Sequence, residues 1–290
     1  MQWERAKTFI ILFFVLLNVS LFAILRLENR RYILTLEQEQ AIRTVLYRNN
    51  ISLETAIMRD HAPMRSLSIS GFYYDEDELI AMFFDNPETV LRLSEEPYLF
   101  TDGYSRLTIS INGFIEFINP QGFTRVAGTA RMQDTPVEQA EAEALSNAFI
   151  AQYFPDFRLD SVFPSDEGWR LYYRQVYRNY KIYTNIIQFL VTPIGIREIE
   201  MQFGRIEGFA TGPPRIIVSP DEALLAFIQH ARNVLGNVPV SIVDMDRAFF
   251  QENSSTQRGL THHAIPVYRI SVYGFDMPFL INAYTNEIIH

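Results

Sequence analysis

Ser219-Pro220-Asp221-Glu222-Ala223-Leu224-Leu225-Ala226-Phe227-Ile228 announces a helix in its residue order. Ser219 is a favoured N-cap, Pro220 takes the first helical position, and Glu222 stands where a capping box needs its acid. Leu224, Leu225, Ile228 and Val234 then recur at helical spacing. Upstream, Thr135-Pro136-Val137-Glu138 repeats the arrangement before Ala140, Ala144, Leu145, Ala148 and Phe149. Thr35 with Gln38 is a weaker version without the proline. Three capped helices, each followed by β-type sequence, set the frame for the rest.

The segments between them alternate in the manner of short strands. Ser66–Phe72 and Leu79–Phe84 flank Asp75-Glu76-Asp77-Glu78 and predict a hairpin with an acidic tip. Asn112-Gly113, between Leu107–Asn112 and Phe114–Ile118, is a stronger hairpin signal. Strands are expected at Trp169–Tyr177, Ile182–Thr192, Ile196–Phe203, Arg205–Phe209, Val240–Phe249, Val267–Tyr273 and Phe279–Tyr284. Glu252–His263 reads as a polar hairpin loop. Helices followed by antiparallel meanders make the expected fold α+β, in repeated units of a helix packed on a sheet.

At the N-terminus, Phe9–Leu25 is uncharged, with Arg5 and Lys7 before it and Arg26 after. A helix over 9–27 approaches the roughly 30 Å of a hydrocarbon core and predicts a transmembrane helix. Trp3, Arg5, Lys7, Arg26 and Tyr32 fall where interfacial anchors belong. Leu25-Arg26-Leu27-Glu28 is a poor cleavage site, so the segment reads as an uncleaved anchor. Lysine and arginine are nearly balanced across it and leave the orientation open. Asn18 and Ser20, inside the apolar run, are candidate contacts to a partner helix. The expected division is a tail at 1–8, the span at 9–27, a first α+β domain at 33–133, and a second at 134–290 built of two related units.

Composition narrows the function classes. The net charge is -9, and because residues 1–31 carry +3, the remaining chain carries -12. An acidic body gains nothing from phosphate backbones, so nucleic acid is not an expected partner. There are no cysteines, which excludes disulfides, thiolate nucleophiles and thiolate zinc sites. His61, His230, His262, His263 and His290 form no H-E-x-x-H or H-x-H spacing. His262-His263 reads as an adjacent pair in a solvated loop. Asp75–Glu78 lacks the spaced ligands of a calcium loop. Asn253-Ser254-Ser255 fits a glycosylation sequon, a weak pattern. No nucleophile elbow, P-loop or dinucleotide fingerprint is present. No catalytic residue, metal ligand or cofactor is expected, and the protein is expected not to be an enzyme.

Two stretches resemble known families. Asn282-Ala283-Tyr284-Thr285-Asn286-Glu287-Ile288-Ile289 is similar to the strand–turn–strand ending of PepSY-type units, with Asn286 in place of a glycine. Met1-Gln2-Trp3-Glu4-Arg5-Ala6-Lys7-Thr8, running into Phe9-Ile10-Ile11 and Leu16-Leu17-Asn18, resembles the opening of the YycI (WalI) family. Gln2 departs from that family's usual aspartate. The resemblance implies a PepSY/YycH-like fold and an accessory regulator of a WalK (YycG) sensor histidine kinase that governs cell-wall metabolism. It implies a YycH-like protein as second partner, with contacts through transmembrane helices and extracytoplasmic domains. It also implies a single-pass protein of the cell membrane, N-terminus cytoplasmic and body outside. The alternative is an extracytoplasmic PepSY-like ligand-binding or protease-modulating module, which would need a concave pocket with converging polar groups.

Overall fold

The computed structural model describes residues 2–71, 75–123, 136–251, 261–275 and 277–289. The chain forms two compact units interleaved in sequence: Met1–Arg65, Pro213–Asp246 and Val267–His290 make one, and Ser66–Gly212 with Arg247–Pro266 make the other.

The first unit holds α1 (Gln2–Arg30), α2 (Leu36–Arg48) and β1 (Ile51–Leu53). Thr35 caps α2 reciprocally: its N–H donates to Gln38 Oε1 at 3.0 Å, and Gln38 N–H donates to Thr35 Oγ1 at 3.2 Å. Ile42 and Leu46, one turn apart, carry the buried face. The strand β1 pairs in parallel with the start of β12 (Val240–Phe250), some 190 residues on. Helix α5 (Pro220–Leu235) starts as its sequence predicts, with Ser219 N–H donating to Glu222 Oε2 at 3.1 Å. Its buried stripe is Ala223, Leu224, Phe227, Ile228 and Ala231, whereas Leu225 and Val234 face out. The end of β13 (Thr261–Val272) pairs antiparallel with β14 (Phe279–Asn282), and β14 with β15 (Ile288–Ile289). In the turn before β15, Asn286 takes φ 63°, the left-handed conformation that asparagine tolerates, and donates its N–H to Asn282 O at 2.8 Å.

The second unit begins with β2 (Leu67–Ser70) and α3 (Glu76–Phe83). The expected hairpin around Asp75–Glu78 is therefore a helix start. Asp75 Oδ1 accepts from Asp77 N–H at 2.9 Å, and Glu76, Asp77 and Glu78 occupy the positive end of the helix. Leu79 and Phe83 are buried at i and i+4. Then follow β3 (Leu91–Glu95), β4 (Tyr98–Thr101), β5 (Arg106–Ile109) and β6 (Ile115–Phe123). The Asn112-Gly113 hairpin forms between β5 and β6. Helix α4 (Gln139–Tyr153) is capped by Glu138 rather than Thr135, without a side-chain capping bond, and Thr135 lies outside the described residues.

A long antiparallel meander completes this unit: β7 (Phe157–Ser165), β8 (Gly168–Tyr177), β9 (Tyr180–Thr192) and β10 (Gly195–Gln202). The sheet runs on through β6, β5, β4 and β3. Helix α4 covers one face, and its Phe149 meets Phe189 edge-on at 5.5 Å. Phe83 of α3 stacks on Phe117 at 4.6 Å in the same core. From β10 the chain passes through Phe203-Gly204 into β11 (Arg205–Phe209), which leaves this sheet to pair with β2, as β2 pairs with the start of β13.

Two expectations are corrected here. Among the described residues no helix is long and apolar enough to cross a membrane. The N-terminal transmembrane helix and the single-pass localisation built on it, cytoplasmic N-terminus and extracytoplasmic body included, are therefore not supported. The fold is mixed α/β, with a large antiparallel sheet and five α-helices among the described residues.

Candidate functional site

The strands of the second unit line a cleft of about 980 Å³. Its walls are Gln175–Arg178 at the end of β8 and Phe203–Glu207 at the start of β11, with Ser70, Gly71 and Asp156 between them. Successive strand residues point to opposite faces. A cleft that touches five consecutive residues therefore runs beside a backbone rather than over one face of a sheet.

The floor is built from a buried amide. Asn185 of β9, 1% exposed, donates from Nδ2 to Gly204 O at 3.1 Å and accepts at Oδ1 from Gly204 N–H at 3.3 Å. The same Nδ2 reaches Gln175 Oε1 at 2.6 Å, which orients that cleft-lining side chain. A Cβ on Gly204 would lie 2.4 Å from Ile69 Cγ2 and 2.6 Å from Ser70 O, so only glycine fits the corner between β10 and β11.

The rim carries the charges. Arg178 and Asn179 form the two-residue turn from β8 to β9, with φ values of 47° and 70°. This is the left-handed pair that hairpin turns of this length require, and arginine is an uncommon choice for it. The Arg178 guanidinium lies 5.6 Å from the Tyr177 ring centroid and 5.4 Å from that of Phe209, beside two rings that meet each other edge-on at 5.7 Å. Glu207 is engaged, accepting from Ser70 Oγ at 2.8 Å and lying 3.7 Å from Arg205. Among the described residues neither Arg178 nor Asp156 forms an ion pair. Arg178 is thus a cation held in place and free to meet an anion.

Other polar clusters are closed on themselves. A hollow of about 380 Å³ beside Thr192 and Pro193 includes Arg197, whose ion pairs with Glu167 and Glu198 satisfy it. Asp160 holds Lys181 at 2.6 Å and Arg174 at 3.6 Å. The Tyr173 hydroxyl, pushed up to about 12 by burial, meets Ser146 Oγ at 2.8 Å and Asn147 Oδ1 at 2.9 Å. Burial also raises Glu200 above the usual carboxylate range, against the opposing pull of Arg170. Among the described residues no group of three acidic or histidine side chains could hold a metal.

The residues singled out in the sequence fall elsewhere. Trp3 and Lys7 are exposed on α1, with Lys7 Nζ 5.5 Å from the indole centroid. Asn18 donates from Nδ2 to Phe14 O at 2.8 Å, within its own helix, and Ser20 is exposed. Tyr32 meets the His61 ring edge-on at 6.1 Å. The side chains of Arg5 and Arg26 lie outside the described residues, as does 252–260, which holds the sequon and most of the expected loop. His262 and His263 are in β13, opposite Ile69 and Ser68, so their side chains diverge to the two faces of a strand. The one sequence signal of the cleft is Arg178-Asn179 between two alternating runs, a turn whose side chain acquires meaning only beside Phe209.

No family model and no curated protein matches this sequence. Among solved structures, the chain is similar to an uncharacterized protein from Eubacterium rectale ATCC 33656, with TM-score 0.53 and 12% identity over 83% of this chain and 90% of that one. This likeness shows a shared fold. The chain also has a weaker likeness to the Bacillus megaterium YpeB C-terminal domain, TM-score 0.43 and 9% identity over 76% and 97%. Neither finding shows the YycI family itself.

Proposed function

We propose that this chain is a non-enzymatic regulator that works by binding other proteins, modulating a WalK-type sensor histidine kinase of cell-wall metabolism together with a YycH-like partner. The partners follow from the resemblance of residues 1–18 to the YycI opening. The observation that carries the mode of action is the cleft between β8 and β11, which presents a strand edge and, on its rim, an Arg178 without an ion pair. Such a surface is suited to recognition: it fixes a cation for a partner and offers backbone for pairing.

Regulation then follows from differential affinity. A kinase with two arrangements of modest free-energy difference is shifted by any partner that prefers one of them, and about 1.4 kcal/mol of preference changes the ratio tenfold. The test is co-purification of the chain with the kinase and the YycH-like protein, followed by the kinase's autophosphorylation rate with and without the chain. A stable complex and a several-fold change in rate are expected. Recovery of neither partner would sink the reading. A second reading, a PepSY-like ligand-binding or protease-modulating module, draws on the cleft's volume. It predicts inhibition or activation of a protease and no effect on the kinase.

A further inference from the structure

Within the regulator reading, on which this inference rests, we infer that the cleft binds an extended peptide segment of the partner, which adds as a strand along β11 and sets an acidic side chain on Arg178. Three observations converge on that occupant. The strand β11 ends its run of pairing, hydrogen-bonded to β2 on one edge and to no further strand among the described residues on the other. The cleft touches that strand at Arg205, Ile206 and Glu207, so an occupant meets its main chain over a short segment. Arg178 lines the same cleft from the β8–β9 turn, near the Tyr177 and Phe209 rings.

The chemistry of the occupant follows from what is left unsatisfied. An exposed strand edge is a row of unpaired N–H and C=O groups, complementary to another extended backbone and indifferent to most of its sequence. Selectivity must come from side chains. Glu207 is occupied by Ser70 and Arg205, whereas the Arg178 guanidinium has aromatic neighbours and no anion. A planar guanidinium presents its N–H groups in its own plane, in a fork that matches a carboxylate. The β-bulge between Ile206 and Gly208 interrupts the ladder, which restricts pairing to a short segment and guards the edge against indiscriminate sheet growth.

The test uses the full chain and capped, fluorescein-labelled peptides read by anisotropy: Lys-Thr-Val-Glu-Val-Thr-Lys, the same peptide with Gln for Glu, and two versions N-methylated on alternate residues. The Glu peptide is expected to bind at least about tenfold more tightly than the Gln peptide. Arg178→Asn, which keeps a residue tolerant of left-handed φ, is expected to erase that difference. One N-methylation pattern is expected to abolish binding and the other to spare it, because an added strand shows one edge to β11 and the other to solvent. Equal binding of the Glu and Gln peptides, equal effects of the two methylation patterns, or no binding would each overturn the inference. Recovery of the kinase by wild-type chain alongside any of those results would leave the regulator reading standing, so the two failures are told apart.

Discussion

Asn185 and Gly204, 19 residues apart, are joined by a two-way amide clamp, Nδ2 to O at 3.1 Å and N–H to Oδ1 at 3.3 Å, in a site closed to water. The clamp lies where the chain leaves β10 for β11. It replaces the ladder bonds that the backbone gives up on turning the corner, and buried main-chain groups need such replacements.

Asn185→Leu removes both partners of Gly204 and the donor to Gln175 while keeping the volume. Destabilisation of about 2–4 kcal/mol is expected from the unpaired groups, measured as the loss of urea unfolding free energy. Gly204→Ala forces its methyl onto Ile69 and the Ser70 carbonyl and is expected to cost about 1–3 kcal/mol. A neutral result for both would show that the corner is not held by this clamp.

Tyr173→Phe tests the buried hydroxyl between Ser146 and Asn147. A loss of about 1–2 kcal/mol is expected at neutral pH. The folded hydroxyl titrates at about 12, above its ordinary 10.0, so the native state keeps its proton longer than the unfolded chain. That contribution is whole below pH 10 and is lost as pH rises toward 12. The alkaline fall in urea midpoint is expected to be shallower in Tyr173→Phe.

In the first unit, Arg269 is 4% exposed and holds Asp246 through two bonds, at 2.8 and 2.6 Å. Arg269→Met removes both of those bonds from the carboxylate and is expected to cost about 1–3 kcal/mol. The pair Arg269→Met with Asp246→Leu is expected to recover most of it, since removing both charges also removes their desolvation. Guanidinium unfolding of the two variants gives the comparison.

Glu39 bridges Arg59 at 2.8 Å and Arg43 at 3.1 Å, and the bond from Arg59 holds its carboxyl below the usual carboxylate range. A depressed folded value means stability that is present above pH 4.5 and lost as pH falls below it. Glu39→Gln is expected to make the acid transition shallower below pH 4.5. Being near the surface, the effect is expected to shrink in 1 M salt.

Local chemistry was legible where the information is local. Ser219-Pro220 with Glu222, the Asn112-Gly113 turn and Asn286 in its left-handed turn depend on residues within four positions of one another, and the chain adopts each as written. Asp75–Glu78 was ambiguous at that range: the same acids suit a hairpin tip or a helix N-terminus, and the burial of Leu79 and Phe83 decided for the helix. The apolar run of α1 was equally plain as a pattern, yet it does not amount to a span among the described residues.

Pairing partners were decided at long range. The strand β1 lies beside Val240–Ile242, β2 beside both β11 and β13, and β11 leaves the meander that its sequence neighbours form. No periodicity carries that information, because alternation states which face of a strand is apolar and not which strand lies next to it. The cleft is a product of those choices. Arg178 is an ordinary turn residue until Phe209 comes against it, and Asn185 is an ordinary strand asparagine until Gly204 turns the corner above it. Propensity, capping and charge act between near neighbours, so the helices α2 and α5, the long strands from Trp169 onward and the acidic, cysteine-free composition are readable along the chain. Which strands meet, and where a cation is left unpaired, depends on burial and hydrogen-bond completion, which are properties of the packed whole.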